Sequence, residues 1–316
     1  MRRKVLFSLL CVGLILSPFI ALAVGTFTIP DWVMKSCVFV MKDKEAVGTG
    51  FLIGVKEQDA TFCYFVTAKH VMQPALQNTS ALRLRLNKKE GGGADIVEFP
   101  MMGFDGKAWI EHTNPAVDLA VAPLAIAEEI QRYDVQMHVV DSATNDFFAT
   151  QAFIERFKIR PGDSAFTLGL VPYLFIKDTE NIVMTRSGTI SMVGTKELPL
   201  PGGRQKAHFL DCPAFGGQSG SPAFVLLQRT EQGAMITGWQ FALFGVVTEF
   251  VPSPLRAAEI PLTEDAKQRV LIPMENTGIS KVVPADYLVD LLFSQGQQEF
   301  RKKLIEEMKK SSNKPK

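Results

Sequence analysis

The chain has few of the residues that would tie it to a metal, a disulfide scaffold or a nucleic acid. It carries four histidines and four cysteines in 316 residues, and no Cys/His spacing of the kind that holds zinc. Cys11 lies in an apolar N-terminal run, which leaves Cys37, Cys63 and Cys212 beyond it. An odd number allows at most one internal disulfide, for which Cys37 and Cys63 are the candidates. A chain of this size needs no staples, so buried free thiols are the expectation. Charge of one sign is also missing. Lys and Arg number 34 against 33 Asp and Glu, a net +1, so there is no basic field to attract nucleic acid. Glycine and proline are ordinary at 24 and 18, which excludes collagenous and disordered classes. No repeat of short fixed period occurs. What the chain does have is 47% hydrophobic residues, enough for one large core or two small ones.

The first residues form a separate object. Arg2, Arg3 and Lys4 precede an almost wholly apolar run over 5–21, and Ala21-Leu22-Ala23 has the small-x-small form of a signal-peptidase site. The expectation is an exported protein, periplasmic or secreted, cleaved near Ala23. An uncleaved anchor is the alternative, since the run approaches spanning length.

From residue 37 to about 284, short apolar runs alternate with turn residues. The first half offers 37–41, 50–55, 62–67, 82–86, 96–101 and 118–124; the second offers 165–170, 182–193, 207–212, 222–227, 241–250 and 279–283. Leu82-Arg83-Leu84-Arg85-Leu86 alternates as a half-buried strand does. Many short strands predict an all-β barrel or sandwich. Residues 125–158 are more polar and helical in pattern, Gly91-Gly92-Gly93 marks a loop, and 252–275 predicts a surface excursion. After Pro284, Tyr287, Leu288, Leu291 and Leu292 recur at helical spacing. The basic end, 301–316, is expected to be a solvated helical tail rather than a lipid-binding segment.

Three segments carry chemistry. Phe65-Val66-Thr67-Ala68-Lys69-His70 is an apolar strand that delivers a histidine, the side chain best suited to shuttle protons near neutrality. Asn114-Pro115-Ala116-Val117-Asp118-Leu119-Ala120-Val121 places an acid at the mouth of an apolar run, where it needs a hydrogen-bonding partner such as an imidazole. Phe215-Gly216-Gly217-Gln218-Ser219-Gly220-Ser221-Pro222 holds a serine between glycines, whose backbone freedom can aim the N–H groups of Gly217 and Ser219 at one oxyanion. The chain order His70, Asp118, Ser219 differs from the Ser-Asp-His order of α/β-hydrolases. Ser221 is a weaker nucleophile candidate because Pro222 follows it. Asp105 and Asp95 rival Asp118, and His112, His138 and His208 lack such contexts and read as surface or packing residues.

These segments resemble the trypsin-like serine peptidases, and most of all the bacterial HtrA and glutamyl-endopeptidase groups. Gly48-Thr49-Gly50-Phe51-Leu52-Ile53, Thr67-Ala68-Lys69-His70-Val71, Asp118-Leu119-Ala120-Val121 and Gly217-Gln218-Ser219-Gly220-Ser221-Pro222 are similar to the family's blocks. Arg186-Ser187-Gly188-Thr189-Ile190-Ser191 and Phe244-Gly245-Val246-Val247-Thr248 add to the likeness, which spans about residues 35–292. It implies two six-stranded antiparallel β-barrels followed by a C-terminal α-helix, with the triad His70, Asp118 and Ser219 in the cleft between barrels. The divisions implied are a signal peptide over 1–23, barrels over 30–125 and 161–284, a linker over 126–160, and a helix with basic tail over 285–316.

The resemblance also implies a polypeptide substrate cleaved without metal or organic cofactor. Thr248 and Glu249 resemble the strand that pairs with substrate backbone, and Asp211 is a weak candidate for shaping the substrate pocket. The chain departs from the pattern in four places, the first being that the family's usual disulfide beside the histidine is absent, since Val71 follows His70. Gln218 stands where digestive members have the aspartate that pairs with a new N-terminus. Pro213 stands where trypsin-like enzymes place the acid of the substrate pocket. No PDZ-like domain fits after residue 292. A trypsin-fold binding module with little hydrolysis, and an esterase using the same three residues, are the alternatives.

Overall fold

The computed structural model describes residues 28–312 except 78, 80, 102–108, 126–127, 142–145, 172–178, 230–231, 234 and 255–273. The segment expected to be a leader with its cleavage site, and Asp105, lie outside the described residues. Within them the protein is mostly β, in an eight-stranded sheet, a closed barrel and a small hairpin, with two helices at the end of the chain.

The first half holds β1 (Cys37–Lys42), β2 (Glu45–Glu57), β3 (Ala60–Thr67), β4 (Ala81–Asn87), β5 (Ala94–Pro100), β6 (Ile110–Glu111), β7 (Ala120–Leu124) and β8 (His138–Asp141). They form one eight-stranded sheet in the order β5-β4-β1-β2-β3-β7-β6, with β8 added to β2. The long β2 changes partner along its length. Glu45 to Phe51 pair with β1, and Ile53 to Lys56 then pair in parallel with β8. The sheet curls far enough for the bridge Met101↔Leu124 to bring the end of β5 against β7, and among the described residues a bridge and not a ladder joins them. The closed six-stranded barrel expected here is therefore an eight-stranded sheet. The extra strands β6 and β8 are two and four residues long, too short to leave a pattern in the sequence.

The second half holds β9 (Ser164–Leu170), β10 (Val183–Met192), β11 (Leu198–Leu200), β12 (Gly203–Gln205), β13 (His208–Asp211), β14 (Pro222–Arg229), β15 (Met235–Pro254) and β16 (Met274–Pro284). Six of them close a barrel, β10-β13-β16-β15-β14-β9, and β11 with β12 makes a separate hairpin. Residues 252–254 and 274–276, expected in a surface excursion, continue the β15–β16 ladder through Pro252↔Asn276 and Pro254↔Met274. Between the halves, 125–158 is less helical than its pattern. It contains a 3₁₀ turn (Glu128–Arg132), β8, and the short helix α3 (Gln151–Arg156); α1 (Asp31–Lys35) and α2 (Lys69–Ala75) precede it.

The alternating β4 buries Leu82, Leu84 and Leu86 as its pattern dictates. Arg85, expected to face solvent, is buried as well. Its guanidinium donates to Thr179 O (2.6 Å) and to Asn181 Oδ1, so the side chain crosses from the first half to the second. An apolar cluster containing Phe51, Val66 and Val121 from one half and Phe166, Leu168 and Leu243 from the other fills the seam.

The helices α4 (Ala285–Leu292) and α5 (Gln295–Ser312) close the chain. Leu288, Leu291 and Leu292 of α4 are buried, as their spacing implies. Arg301 on α5 is the exception to a solvated tail. It is wholly buried and donates to Glu57 Oε2 (3.1 Å), Tyr64 Oη (3.1 Å) and Leu292 O (2.8 Å), which fastens α5 to the outside of β2 and β3. The three cysteines beyond the leader are free and buried. Burial pushes the Cys37 and Cys63 thiols up to about 12, so neither is a nucleophile at neutral pH.

Candidate active site

His70 and Asp118 come from adjacent elements of the first sheet. β3 ends at Thr67, Ala68 caps the next element in an extended conformation, and His70 sits in the first turn of α2 rather than at a strand end. Asp118 sits just ahead of β7. The turn that delivers it is closed locally: Val117 N donates to Asn114 O (3.1 Å) and Ala116 N to Asn114 Oδ1 (3.0 Å). Lys69 Nζ donates to Pro115 O (2.8 Å) and draws this turn toward α2.

The acid and the imidazole then make two contacts. His70 Nδ1 lies 2.6 Å from Asp118 Oδ2, and the His70 backbone N–H donates to Asp118 Oδ1 (3.0 Å). Burial pushes the Asp118 carboxyl up, but the hydrogen bonds and charge of His70, with a further contribution from Lys281, more than offset it. The net effect holds Asp118 below its ordinary range. An ionised Asp118 accepts from Nδ1–H, which leaves Nε2 free to take a proton. The His70 side chain is 49% exposed, so that nitrogen is reachable.

Ser219 comes from the second barrel, in the turn between β13 and β14. Gly217 and Gly220 on either side have φ of 91° and 90°, the left-handed region that a side chain resists. A Cβ on Gly220 would also lie 1.9 Å from Thr49 O. The turn is held to the first half by Thr49 of β2. Thr49 N donates to Ser219 O (2.9 Å), Thr49 Oγ1 donates to Gly217 O (2.7 Å) and accepts from Leu170 N (3.2 Å), and Thr49 O accepts from Thr67 Oγ1 (2.6 Å). One fully buried threonine thus fixes the height of the serine turn against the strand that leads to His70. Sequence reasoning quoted Thr49 only as part of a strand; the glycines on both sides were the available signal of close approach. The N–H groups of Gly217 and Ser219 donate to no acceptor among the described residues.

His70, Asp118 and Ser219 line one cavity of about 380 Å³, together with Ala214, Phe215, Gly216 and residues 247–250. Ser219 Oγ donates to Thr248 O (2.8 Å), and no His70–Ser219 hydrogen bond forms among the described residues. Catalytic hydrogen bonds are often long or unmade without substrate. Glu249 faces this cavity and is ion-paired with the buried Lys281. Thr248 itself is buried, with Oγ1 unpartnered. Asp211, the weak candidate for the substrate pocket, is exposed at the end of β13 and does not line the cavity, because pairing with Thr189 and Ile279 holds that strand end outside it.

The other histidines lie elsewhere. His112 Nδ1 accepts from Asn114 N (3.0 Å), and its ring meets Tyr287 edge-on. His138 stacks between Trp32 and Phe147, and burial lowers its pKa. His208 is fully buried against Phe244, and burial pushes it down to about 3. Asp95 pairs with Lys88 at the far end of β5, and Ser221 is buried with its hydroxyl unpartnered. Among the described residues no group of three His, Cys, Asp or Glu side chains gathers to hold a metal ion.

No family model and no curated protein matches the chain. Solved structures do resemble it. The MamO protease domain from Magnetospirillum magneticum is 15% identical with a TM-score of 0.45, over 82% of this chain and 96% of that one. The HtrA-type protease AlgW with a decapeptide is 15% identical with a TM-score of 0.40, over 79% of this chain and 51% of that one. The protease Rv3671c in an inactive form is 14% identical with a TM-score of 0.41, over 82% and 88%.

Proposed function

We propose that the protein is a serine endopeptidase that cleaves extended polypeptides outside the cytoplasm through an acyl-enzyme. The observation that carries the reading is the placement of Ser219 in one cavity with a His70–Asp118 pair bonded at 2.6 Å, the imidazole's other nitrogen having no partner among the described residues. In this reading the eight-stranded sheet is a first barrel that supplies base and acid, and the closed barrel supplies the nucleophile. The leader over 1–23 exports the chain.

The steps follow from the positions. Ser219 Oγ attacks the scissile carbonyl carbon while His70 Nε2 takes its proton, and Asp118 stabilises the imidazolium without being protonated. The unpartnered N–H groups of Gly217 and Ser219 receive the oxyanion. The leaving amine takes the proton from His70, and water then reverses the sequence to free the acid. The substrate would be held as an added strand. Beyond Val247 the cavity-facing edge of β15 pairs with no described strand, while β16 covers its other edge down to Pro254. An extended chain laid along Thr248, Glu249 and Phe250 would add to that edge, displacing Ser219 Oγ from Thr248 O where it needs that carbonyl.

One observation favours a second reading, a peptide-binding module. Ser219 Oγ is engaged by Thr248 O rather than by His70. Dye-labelled casein separates the two. Release of dye peptides by the wild type, abolished by Ser219→Ala while casein binding persists, supports the peptidase. Equal binding by both proteins with no release supports the module.

A further inference from the structure

We propose that Gln218 is a positioning residue that holds the oxyanion-binding turn in its working shape, from within the turn itself. The inference rests on the serine-hydrolase reading above. Gln218 is 3% exposed although it sits beside an open cavity. Both backbone groups of Phe215 end on it. Phe215 N donates to Gln218 Oε1 (3.0 Å), and Gln218 N donates to Phe215 O (3.0 Å). The side chain and main chain of one residue therefore close a ring around Gly216 and Gly217. Ser221 N donates to Gln218 O (3.0 Å), which extends the lock past the nucleophile.

A turn of two glycines has no conformational preference of its own strong enough to hold one shape. With Phe215 tied at both backbone groups, Gly217 is held at φ 91°, and its N–H and that of Ser219 are left without acceptors. The Phe215 ring is fixed from outside by the Arg186 guanidinium, 4.4 Å from the ring centroid. Room for the buried amide is made by Gly169 of β9, where a Cβ would lie 3.0 Å from Gln218 Cγ and 3.3 Å from Nε2. The turn uses the oxygen of the amide: Gln218 Oε1 accepts the Phe215 N–H, while the buried Nε2 has no partner among the described residues. A turn assembled this way is ready without any cleavage that creates a new N-terminus.

The test uses the mature chain with 4-nitrophenyl acetate, which reports oxyanion stabilisation without occupying the peptide-binding edge. Gln218→Met keeps length and removes the acceptor. It should lower kcat about tenfold to a hundredfold, less than deleting a donor outright, with KM changed by no more than about twofold. Gln218→Glu, which retains an acceptor oxygen, should recover most of the loss. Amide hydrogen exchange on the wild type supplies a readout that needs no variant to fold: the Phe215 N–H should be protected, and those of Gly217 and Ser219 should exchange freely. A folded Gln218→Met protein with wild-type kcat, or a Phe215 amide that exchanges as fast as that of Gly217, overturns the proposal. If the wild type hydrolyses the ester no faster than Ser219→Ala, the serine-hydrolase reading fails and the role of Gln218 fails with it.

Discussion

The two halves of the molecule contribute to one cavity by different means. The first half presents side chains: His70 and Asp118 find each other through a carboxylate that accepts from both an imidazole and a backbone N–H. The second half presents backbone: two glycines at positive φ, two N–H groups without acceptors, and a serine hydroxyl resting on a carbonyl. Their frames differ too, an eight-stranded sheet drawn together by one bridge against a barrel closed by ladders. The difference locates the weak point. Side-chain pairs tolerate small backbone shifts, whereas a backbone-built anion site does not. The less tolerant part therefore sits on the closed barrel, and the hydrogen bonds of Thr49 tie it to the other half.

Breaking the side-chain half should have the largest effect on chemistry. Asp118→Asn keeps the shape but no longer favours the tautomer that leaves Nε2 free, and peptide turnover should fall about 10⁴-fold with an unchanged melting curve. Turnover within tenfold of wild type would detach Asp118 from the reaction.

Next comes the anchor of the first half. Arg301→Met leaves the Glu57 carboxylate without its cation beneath α5, while Tyr64 keeps its bond to Gln297, at a cost of about 3–5 kcal/mol in urea unfolding. On the backbone side, Gly220→Ala forces a Cβ against Thr49 O at positive φ, and should cost about 3 kcal/mol or more. Thr49→Val removes the clasp between halves and strands a Gly217 carbonyl. It should cost about 1–3 kcal/mol and also slow turnover. If Thr49→Val lost stability but kept full turnover, the two halves would be positioned by the apolar seam alone.

A last effect, confined to acid pH, sharpens the comparison from the second half. His208 in the closed barrel is neutral when folded, with its pKa pushed from 6.5 to about 3 by burial. A base lowered on folding binds its proton first in the unfolded chain. Its contribution is thus fully present above pH 6.5 and is lost as pH falls toward 3, roughly a few kcal/mol over that window. His208→Phe should flatten this acid limb in urea titrations at stepped pH. An unchanged slope would assign acid lability to other groups.

How much of this was legible in the sequence follows from how local each feature is. The strands around His70, Asp118 and Ser219 were readable because apolar runs and glycines act within a few residues. The buried free cysteines were readable from chain size. Other features were set by distant parts of the chain. Thr49 meets Gly217 across 168 positions, and Arg301 meets Glu57 across 244. A buried Arg85 looks like any arginine in an alternating strand until Asn181 arrives from the other half. β8 is a strand only because the open edge of β2 accepts it in parallel. Asp211 drew notice for its nearness to Ser219 in sequence, but strand pairing holds it outside the cavity.

The most direct test of the central claim is labelling of the chain, purified from residue 24 onward, by a fluorophosphonate probe, with Ser219→Ala and His70→Ala in parallel. The reagent reacts only with a serine that a neighbouring base has activated. The account predicts labelling of the wild type that is lost in both variants. A folded wild type that takes up no probe, or labelling that survives in Ser219→Ala, would contradict it.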